Sequence, residues 1–570
     1  MSDDESVEIF DSQQRIEKLK SWRKNINWQV EGERYEFLRK IEPLLRYWVY
    51  EYPNLQEIFR TEEIECLLLD SINNLIGKQY DRDLGEFFWF VLRIEYKDKR
   101  EVDIDGKPSS RRTTPVHHAA RLGYQDIIGL LFTLYSKCDV NYTDELGHTH
   151  FHVACEFGLD HVIKRFLELG HDPNCLLEKS SSFDPPLFLA LKHGQNMIVE
   201  LLRRIDFDPN LVNKDGSTPL HMISQNTRCI TYVITGTKTY FAHNMAKTLF
   251  ELNNEKYQPV QIDARDKLGN TPLHVAVKWE NKEMIEFLLR KGANPNLANE
   301  EGSTALHHFY MLPIVSNSDS IHLFFKICDE KQQLVMVDAK DKLGRTPLQW
   351  AVANLWPDCI DILFEHGADL SNFVFPAENY FAERFNSWKY ETRGKYGYRF
   401  HLASRALAVV ELIVKRGYQF DRSDVLTVMK FFAKHGMFEK SDELKKSGWY
   451  DEGKKVSYKD TKKVMISPSV SLYDLTRLQP EKAEKLLTYT DYWKFTFHYC
   501  ICENYYEPCD LHLCEKLSRG FFLHWALDLF WELIHKRLPL EICEMILEQL
   551  TNEDLCHICL TATLQSSKPH

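Results

Sequence analysis

The sequence of 570 residues lacks long apolar segments, since no run approaches the roughly eighteen consecutive apolar residues that a membrane-spanning helix needs. It also lacks a secretory signal, because the first residues, Met1–Glu5, are acidic where such a signal would be basic and then apolar. These absences argue against a membrane-spanning or secreted protein. We therefore expect a cytoplasmic protein, with the nucleus as the alternative compartment.

An excess of positive charge is also absent. The chain has 71 Lys and Arg residues against 83 Asp and Glu residues, which gives a formal net charge of −12 at pH 7. Binding to a nucleic-acid duplex depends on a basic surface that meets the phosphates. The charge balance therefore argues against nucleic acid as the main partner, and we expect no membrane partner either.

Catalytic signatures are missing as well. The sequence contains no H-E-x-x-H motif, no Walker glycine loop, no G-x-G-x-x-G after a strand and no G-x-S-x-G nucleophile elbow. We therefore expect a protein that is not an enzyme, with no catalytic residues and no cofactor. An active site in the cysteine-rich region from Val464 onward is the weaker alternative.

The 14 cysteines do not form a disulfide framework, because they are scattered through helical positions of a long chain that has its own core. The only alternative of interest is a zinc site. It would pair Cys556 and Cys559 with an upstream cluster at Cys500, Cys502, Cys509 and Cys514. The spacing of paired zinc knuckles is absent, so we expect buried thiols and no metal site.

The sequence does contain a repeated segment, best preserved at Asp266–Asn296. In this copy Thr271 predicts a helix N-cap, Pro272 predicts the first helical residue, and Asn281 opens a second helix. The four residues that begin with this threonine have counterparts along the chain, at Thr114–His117, Thr149–His152, Pro185–Phe188, Thr218–His221, Thr304–His307, Thr346–Gln349 and, in decayed form, Arg399–Ala403. Each copy therefore predicts a hairpin of two helices followed by a turn.

Such a hairpin cannot bury its own apolar face, so a fixed period predicts a stack of like hairpins. The fold class is therefore predicted to be all-α, a helical solenoid. We expect a helical N-terminal cap at 1–112, an array of about seven or eight repeats at 113–420, and a helical C-terminal module at 421–570. Insertions near 227–256, 311–334 and 372–396 should be loops or lengthened helices.

Six histidines occupy one slot of the repeat, at positions 117, 152, 221, 274, 307 and 401. A residue type that recurs at one structural position is most simply explained by hydrogen bonds that join turn and helix. Phe188 and Gln349 occupy the same slot, so imidazole is not obligatory there. We therefore interpret these histidines as structural and not as metal ligands or acid–base catalysts.

The C-terminal segment Leu538–Leu560 carries the second strong pattern. Pro539 suits the start of a helix that is apolar on most sides, and Thr551 supplies a cap for another helix. A terminal helix of this kind should be covered by its own module on one side and by a partner on the other.

The repeats resemble the ankyrin repeat, whose pattern D-x-x-G-x-T-P-L-H-x-A is matched almost fully at Asp266–Ala276 and at Asp341–Ala351. The resemblance implies a protein client bound by the turn tips and the exposed sides of the first helices. On this chain the corresponding candidates are Glu145, His148, Glu156, Phe157, Lys214, Gln225, Lys267, Asn270, Lys278, Trp279, Lys342 and Arg345. Trp279 is the strongest candidate, because an exposed indole offers a large contact area at a small entropic cost; packing beneath the inserted loop that follows Met311 is the alternative.

The C-terminal pattern L-P-x-E-I-x-x-x-I-L-x-x-L-x-x-x-D-L resembles an F-box, and with Ser471–Leu475 and the repeats it resembles the PRANC architecture of poxviruses, bacterial endosymbionts and parasitoid wasps. That resemblance implies a substrate-recruiting subunit of an Skp–cullin–F-box ubiquitin ligase. The implied contacts with the Skp-type adaptor are Leu538, Pro539, Ile542, Ile546, Leu550 and Leu555. Only ten residues follow Leu560, where a full F-box has a third helix. The alternative is an ankyrin scaffold or sequestering protein without ligase function, in which these helices are a structural cap.

Overall fold

The computed structural model describes residues 12–46, 48, 52–76, 85–98, 110–136, 138–172, 184–193, 208–225, 241–251, 257–311, 318–383, 385, 398–438, 465–498 and 507–566. Most of these residues are helical, and the strands among them form one short hairpin, which confirms the all-α prediction. The chain divides into two compact units, Met1–Lys267 and Leu268–His570. This division lies inside the segment expected to form one array, and the predicted domain boundaries stay predictions.

The first unit begins with four helices: α1 Ser12–Arg23, α2 Glu31–Arg46, α3 Thr61–Ile76 and α4 Glu86–Arg93. The segment up to about Asn25 is polar, so its sequence predicts a frayed end, and α1 corrects this prediction for residues 12–23. Leu19 is fully buried, and the Arg15 guanidinium donates a hydrogen bond of 2.6 Å to the backbone oxygen of Leu44 in α2. The Arg23 guanidinium also pairs with Glu63 of α3 at 2.7 Å, so long-range contacts hold this polar segment in a helix.

The repeats of the first unit follow: α5 Pro115–Arg121, α6 Gln125–Leu134, α7 His150–Phe157, α8 Asp160–Glu168, α9 Pro186–His193, α10 Pro219–Gln225 and α11 Phe241–Glu251. Their first helices begin as predicted. Thr149 is the N-cap of α7, and its hydroxyl accepts a hydrogen bond of 3.2 Å from the backbone N–H of His152. The insertion expected near 227–256 contains α11, and its remaining residues lie outside the described part of the chain.

The second unit continues with further hairpins: α12 Pro272–Lys278, α13 Lys282–Arg290, α14 Ala305–Met311, α15 Ser318–Glu330, α16 Pro347–Ala353 and α17 Pro357–Glu365. Helix α15 has 13 residues where α13 and α17 have nine, so part of the insertion at 311–334 is a lengthened helix.

Two slot histidines of the second unit, His274 and His307, join turn, helix and neighbouring repeat. The Nδ1 atom of His274 accepts a hydrogen bond of 3.1 Å from the backbone N–H of Thr271, and its Nε2 lies 3.0 Å from the backbone oxygen of Ser303 in the next repeat. His307 repeats this pattern toward Arg345 at 3.1 Å. The structural interpretation is thus confirmed for His274 and His307, whereas His401 lies inside the helix Tyr398–Lys415 and its Nδ1 does not repeat the pattern.

Adjacent turn tips in the second unit approach so closely that two of their glycines, Gly269 and Gly302, have no room for a side chain. Gly302 has φ +76°, and an added Cβ would lie 2.7 Å from the backbone nitrogen of Lys342. Gly302→Ala should therefore cost about 2 kcal/mol or more of unfolding free energy, from left-handed strain plus displacement of the next tip. The matched control is Gly344→Ala, since Gly344 has the same φ and open space around it. Urea unfolding that gives equal losses for the two variants would contradict the close-approach explanation.

The decayed copy at Arg399–Ala403 is not a repeat of the predicted kind. It lies within α18, Tyr398–Lys415, an 18-residue helix that replaces the seven- or eight-residue first helices of the repeats. This helix packs against α17 and against two helices of the C-terminal module, so nearly every side of it is apolar and buried. Because α18 is covered on nearly every side, it does not form the short helical hairpin of the repeats, in which one face stays exposed.

The remaining elements are α19 Arg422–Lys434, a two-stranded hairpin of β1 Met465–Ser467 and β2 Val470–Ser471, then α20 Leu472–Arg477, α21 Pro480–Leu486, α22 Tyr489–His498, α23 Glu507–Leu533, α24 Leu540–Leu547 and α25 Asn552–Ser566. The long helix α23 is the centre of this region, since α18, α21, α24 and α25 all pack against it. The helix breaks predicted at Pro539 and at Thr551 are confirmed.

Candidate functional site

The first candidate surface is formed by the turn tips between hairpins. A single side chain shapes the tip at 341–345: the Oδ1 atom of Asp341 accepts hydrogen bonds of 2.9 Å from the backbone N–H groups of Leu343 and Arg345. Backbone hydrogen bonds of 2.9 Å then link neighbouring tips of the second unit, from Lys342 to Glu301 and from Glu300 to Leu268. The tips are therefore rigid, and the side chains between their capping residues point to solvent.

Ten of the twelve predicted client-binding residues keep some exposure. Six are exposed: Glu145, Lys214, Lys267, Lys278, Trp279 and Lys342. Four are half-buried: Glu156, Phe157, Gln225 and Arg345. Trp279 is 43% exposed, so its ring is available to a partner, whereas residues 312–317 of the loop expected to cover it lie outside the described part of the chain. The client-binding role of these residues stays a prediction.

Two of the predicted contacts are buried and must be corrected. His148 is only 4% exposed, and its backbone N–H donates a hydrogen bond of 2.8 Å to Asp144 within the turn. Asn270 is 8% exposed, and its Oδ1 accepts a hydrogen bond of 2.9 Å from the side chain of Asn299 in the next tip. Each lies two residues after an exposed leucine of its tip, Leu146 or Leu268, but is itself buried.

Sequence reasoning missed two exposed apolar residues of the tips in the second unit. Leu268 is 64% exposed and Leu343 is 73% exposed. The available signal was the recurrence of leucine before the tip glycine, in Leu268-Gly269 and Leu343-Gly344. Arg345, in the same tip as Leu343, is held in place, since its guanidinium pairs with Asp341 at 2.8 Å and lies 4.2 Å from the centre of the Trp350 ring.

The second candidate surface lies on α24 and the residues before it. Five apolar side chains are exposed there: Leu538 at 38%, Leu540 at 39%, Ile542 at 41%, Met545 at 62% and Ile546 at 38%. We call these five residues the open face. On the opposite side Cys543 and Leu547 are fully buried against the module. The helix is thus covered on one side and uncovered on the other, as its sequence predicted.

Helix α24 is held at both ends by side chains of α23. The Arg519 guanidinium donates hydrogen bonds to the backbone oxygens of Leu547, Glu548 and Leu550 at 3.1, 3.0 and 2.6 Å. These carbonyls carry the partial negative charge of a helix C-terminus, which a cation stabilises. At the other end the Trp531 indole N–H donates a hydrogen bond of 2.9 Å to the backbone oxygen of Leu538. The open face is therefore presented by a fixed helix.

The predicted adaptor contacts separate into three groups. Leu538, Pro539, Ile542 and Ile546 are exposed, and Leu550 is half-buried. Leu555 is fully buried, so it must be corrected: it lies in α25, which packs along α23 inside the module. Leu540 and Met545 were missed as contacts, although their apolar character was visible in the sequence.

The cysteines that the structure describes resemble core residues. Cys514, Cys543, Cys556 and Cys559 are all buried, and burial raises the pKa of the Cys559 thiol to about 12. Within the described ranges, no group of three or more His, Cys, Asp or Glu side chains could hold a metal ion. Cys500 and Cys502 of the zinc alternative lie outside those ranges.

No helix among the described residues is both long and apolar enough to cross a membrane.

Comparison with known proteins concerns the repeats that carry the first candidate surface, the turn tips. A family model described as ankyrin repeats matches three stretches of the chain, at residues 92–176, 151–241 and 187–299. The chain is 27% identical over 219 residues to the B-cell lymphoma 3 protein homolog of Mus musculus, which covers 33% of this chain and 45% of that protein. It is 29% identical over 115 residues to a putative ankyrin repeat protein of Rickettsia bellii, covering 20% of this chain and 32% of that protein.

Two further similarities are more distant. The human transient receptor potential cation channel subfamily A member 1 is 23% identical over 216 residues, which is 38% of this chain and 17% of the channel. A crystal structure of the ankyrin repeat domain of Bcl-3 aligns with 40% of this chain and 90% of that domain, at 21% identity and a TM-score of 0.30. The matched segments span less than half the length of each of these curated relatives. The chain therefore carries ankyrin repeats, matched between residues 92 and 299, and these repeats indicate a scaffold for protein–protein interaction.

Proposed function

We propose that this protein is a bridging adaptor, in which the ankyrin repeats bind a client protein and the open face of α24 docks on an Skp-type adaptor of a cullin ubiquitin ligase. The observation that supports the docking half is the open face itself, five exposed apolar side chains on one rigidly held segment. Soluble proteins seldom leave such side chains together in water without a partner.

The energetics favour a covered state. Each of the five side chains is at least 38% exposed, so covering one of them contributes on the order of 1 kcal/mol. Because Arg519 and Trp531 already fix the helix, little conformational entropy is lost when a partner binds. The site is preorganised for a hydrophobic groove.

A bridge of this kind needs no catalytic residue of its own. The repeats and the open face would hold client and ligase on one chain, which raises the effective concentration of the ligase at the client. We place this activity in the cytoplasm, with the nucleus as the alternative.

A charge placed on the open face should abolish adaptor binding. Ile542→Asp buries a carboxylate in the interface, and we expect at least a hundredfold loss of affinity for a purified Skp-type adaptor, since an unpaired buried charge costs several kcal/mol. The fold should survive, because Ile542 is 41% exposed in the free protein. The measurement is co-purification with the adaptor followed by titration calorimetry, with circular dichroism to check the fold.

Gln549→Asp is the matched control, because Gln549 is an exposed polar residue beside the same helix and outside the open face. It should bind like the unchanged chain. If the unchanged chain captures no Skp-type adaptor, or if Ile542→Asp captures as much of it, the ligase half of the proposal is wrong. What then stands is an interaction scaffold in which α24 and α25 cap the module.

A further inference from the structure

The second unit contains a partly open cavity of about 180 Å³ between α18, α21, α22 and α23. Engineered cavities of about 150 Å³ in protein cores admit benzene-sized molecules, so this space has room for a small organic ligand. Its wall includes Glu411, Glu484, Tyr489, Tyr492, Lys516 and Gly520. Neither the repeats nor the open face of α24 contributes to it.

Two kinds of group in this wall attract cations. Its lining residues include two tyrosines, Tyr489 and Tyr492, and two acids, Glu411 and Glu484. An ammonium group gains from both, because a ring face carries partial negative charge and a carboxylate carries a full one. Burial, reinforced by nearby carboxylates that include Glu484, raises the pKa of both tyrosines, so the phenols stay neutral.

The single lysine of the wall is occupied elsewhere. The Lys516 ammonium donates hydrogen bonds to the backbone oxygens of Leu475 and Leu478 at 3.1 and 2.8 Å, and also to that of Thr476, at the C-terminus of α20. A cation in this position caps the helix. Three of its hydrogen bonds are therefore directed at carbonyls, and it forms no ion pair with Glu411 or Glu484.

The two carboxylates differ in what they already bind. Glu411 accepts hydrogen bonds of 2.9 Å from the backbone and the hydroxyl of Thr490, and it pairs with Lys415 at 3.1 Å. Glu484 is exposed at the wall of the cavity, and it has no ion pair with any residue that the structure describes. Glu484 is therefore the carboxylate that is available to a ligand.

The Glu484 carboxylate occupies the space where a side chain at position 520 would lie, because residue 520 is glycine. Gly520 lies inside α23, where glycine costs about 1 kcal/mol relative to alanine. A Cβ at this position would overlap the Glu484 carboxylate. The missing side chain thus lets the carboxylate lie against the helix backbone beside the cavity, which explains a residue that the helix itself disfavours.

We infer that this cavity binds a primary alkylammonium group, with the ammonium between Glu484 and the tyrosine rings and the alkyl stem against Leu487 and Leu517. A free amine and a lysine side chain of another protein share this chemistry. The site is independent of the proposed ligase function.

Calorimetric titration of the full chain tests the inference with three probes: n-butylammonium chloride, the neutral isostere n-butanol, and Nα-acetyl-lysine amide, all at constant ionic strength. We expect n-butylammonium to bind at least tenfold more tightly than n-butanol. Binding of the lysine amide with similar affinity would assign the site to protein lysines, and its failure to bind would assign the site to free amines.

Glu484→Gln and Gly520→Ala should each weaken n-butylammonium binding at least tenfold, the first by removing the charge and the second by displacing the carboxylate. Gly520→Ala raises helix propensity, so loss of folding is not expected to explain its effect. Glu481→Gln is the control, because Glu481 is an exposed acid of the same helix α21 that does not line the cavity. Equal heats for n-butylammonium and n-butanol, or equal binding by Glu484→Gln and Glu481→Gln, would overturn the inference.

Discussion

Between pH 7 and pH 5 the first unit should lose stability on the order of 7 kcal/mol, because four buried imidazoles must stay neutral in the fold. His117, His148, His150 and His152 are each at most 4% exposed. Their rings are close neighbours, with centroids 4.8 Å apart for His117 and His150 and 5.6 Å apart for His148 and His152. A positive charge on one ring therefore disfavours protonation of the neighbouring ring by electrostatic repulsion.

The pKa values follow from this burial. Desolvation lowers the pKa of His117 and of His148 to about 4 and that of His152 to about 3, while Asp144 opposes the shift in all three. The pKa of His150 is lowered well below its usual value by burial, with Arg112 and the neighbouring imidazoles adding to the effect. The neutral His150 ring still forms a hydrogen bond, since its Nε2 lies 2.6 Å from the Thr114 hydroxyl.

The direction of the pH dependence is set by the unfolded chain. Each unfolded histidine takes up a proton below about pH 6.5, whereas the folded one stays neutral to about pH 4, so stability falls as pH drops through this window. Each histidine contributes about 2 kcal/mol of the loss between pH 7 and pH 5. A total of this size approaches the whole stability of a typical domain, which is about 5–15 kcal/mol.

Urea unfolding monitored by circular dichroism across this pH range measures the loss, and hydrogen exchange over 110–172 localises it. The double variant His148→Gln, His150→Phe should lose about half as much between pH 7 and pH 5, because two of the four protons are removed. His161→Gln is the control, since His161 is exposed on α8. A stability that stays level down to pH 5 would contradict the prediction.

Arg112→Ala should destabilise the first unit by about 3–5 kcal/mol, since it leaves two carboxylates without their shared cation in a poorly hydrated site. The Arg112 guanidinium lies 2.7 Å from Asp98 and 3.2 Å from Glu65. Two tyrosine hydroxyls complete the network: Tyr142 donates to Asp98 at 2.5 Å and Tyr135 donates to Glu65 at 3.0 Å.

This network joins the N-terminal helices to the first repeats, because Glu65 belongs to α3 while Tyr135 and Tyr142 belong to the repeats. Burial alone would lower the pKa of Arg112, but Glu65 and Asp98 outweigh it and raise that pKa. The Arg112 guanidinium therefore stays charged at every accessible pH.

Arg111→Ala is the matched control, because it removes the same charge from an exposed neighbouring side chain. Urea unfolding at pH 7 should show a loss below about 1 kcal/mol for this variant, as surface charges usually contribute. A loss for Arg112→Ala no larger than that for Arg111→Ala would show that the network does not hold the N-terminal helices to the repeats.

Local chemistry made much of this fold predictable. Thr271-Pro272 specified a helix start through one hydroxyl and one fixed φ angle, and the structure has a helix at Pro272–Lys278. The segment after Arg537 was predictable for the same reason, since Pro539 and Thr551 determine where α24 and α25 begin. The predictions that failed concern non-local contacts. The frayed end predicted for α1 was wrong because the hydrogen bond between Arg15 and Leu44 joins positions 29 residues apart, which a local pattern does not reveal.

For the candidate sites too, features that depend on local sequence were predictable and features that depend on long-range contacts were not. Exposed residues such as Lys342 and Ile542 followed from the repeat pattern and the helical stripe. His148, Asn270 and Leu555 were misplaced because their burial is imposed by neighbouring elements. The cavity beside Gly520 left no signal in sequence order, since its wall is assembled from four helices between positions 411 and 520.

By itself the sequence determined the helical hairpins, their N-caps and the two-sided apolar character of α24, because each depends on residues within a few positions of one another. Only the tertiary structure decided which apolar stripe of α24 is left uncovered, which imidazoles become buried together, and where a cation could bind. Those properties depend on desolvation and on contacts between helices distant in the chain, and a local pattern of residues does not encode either.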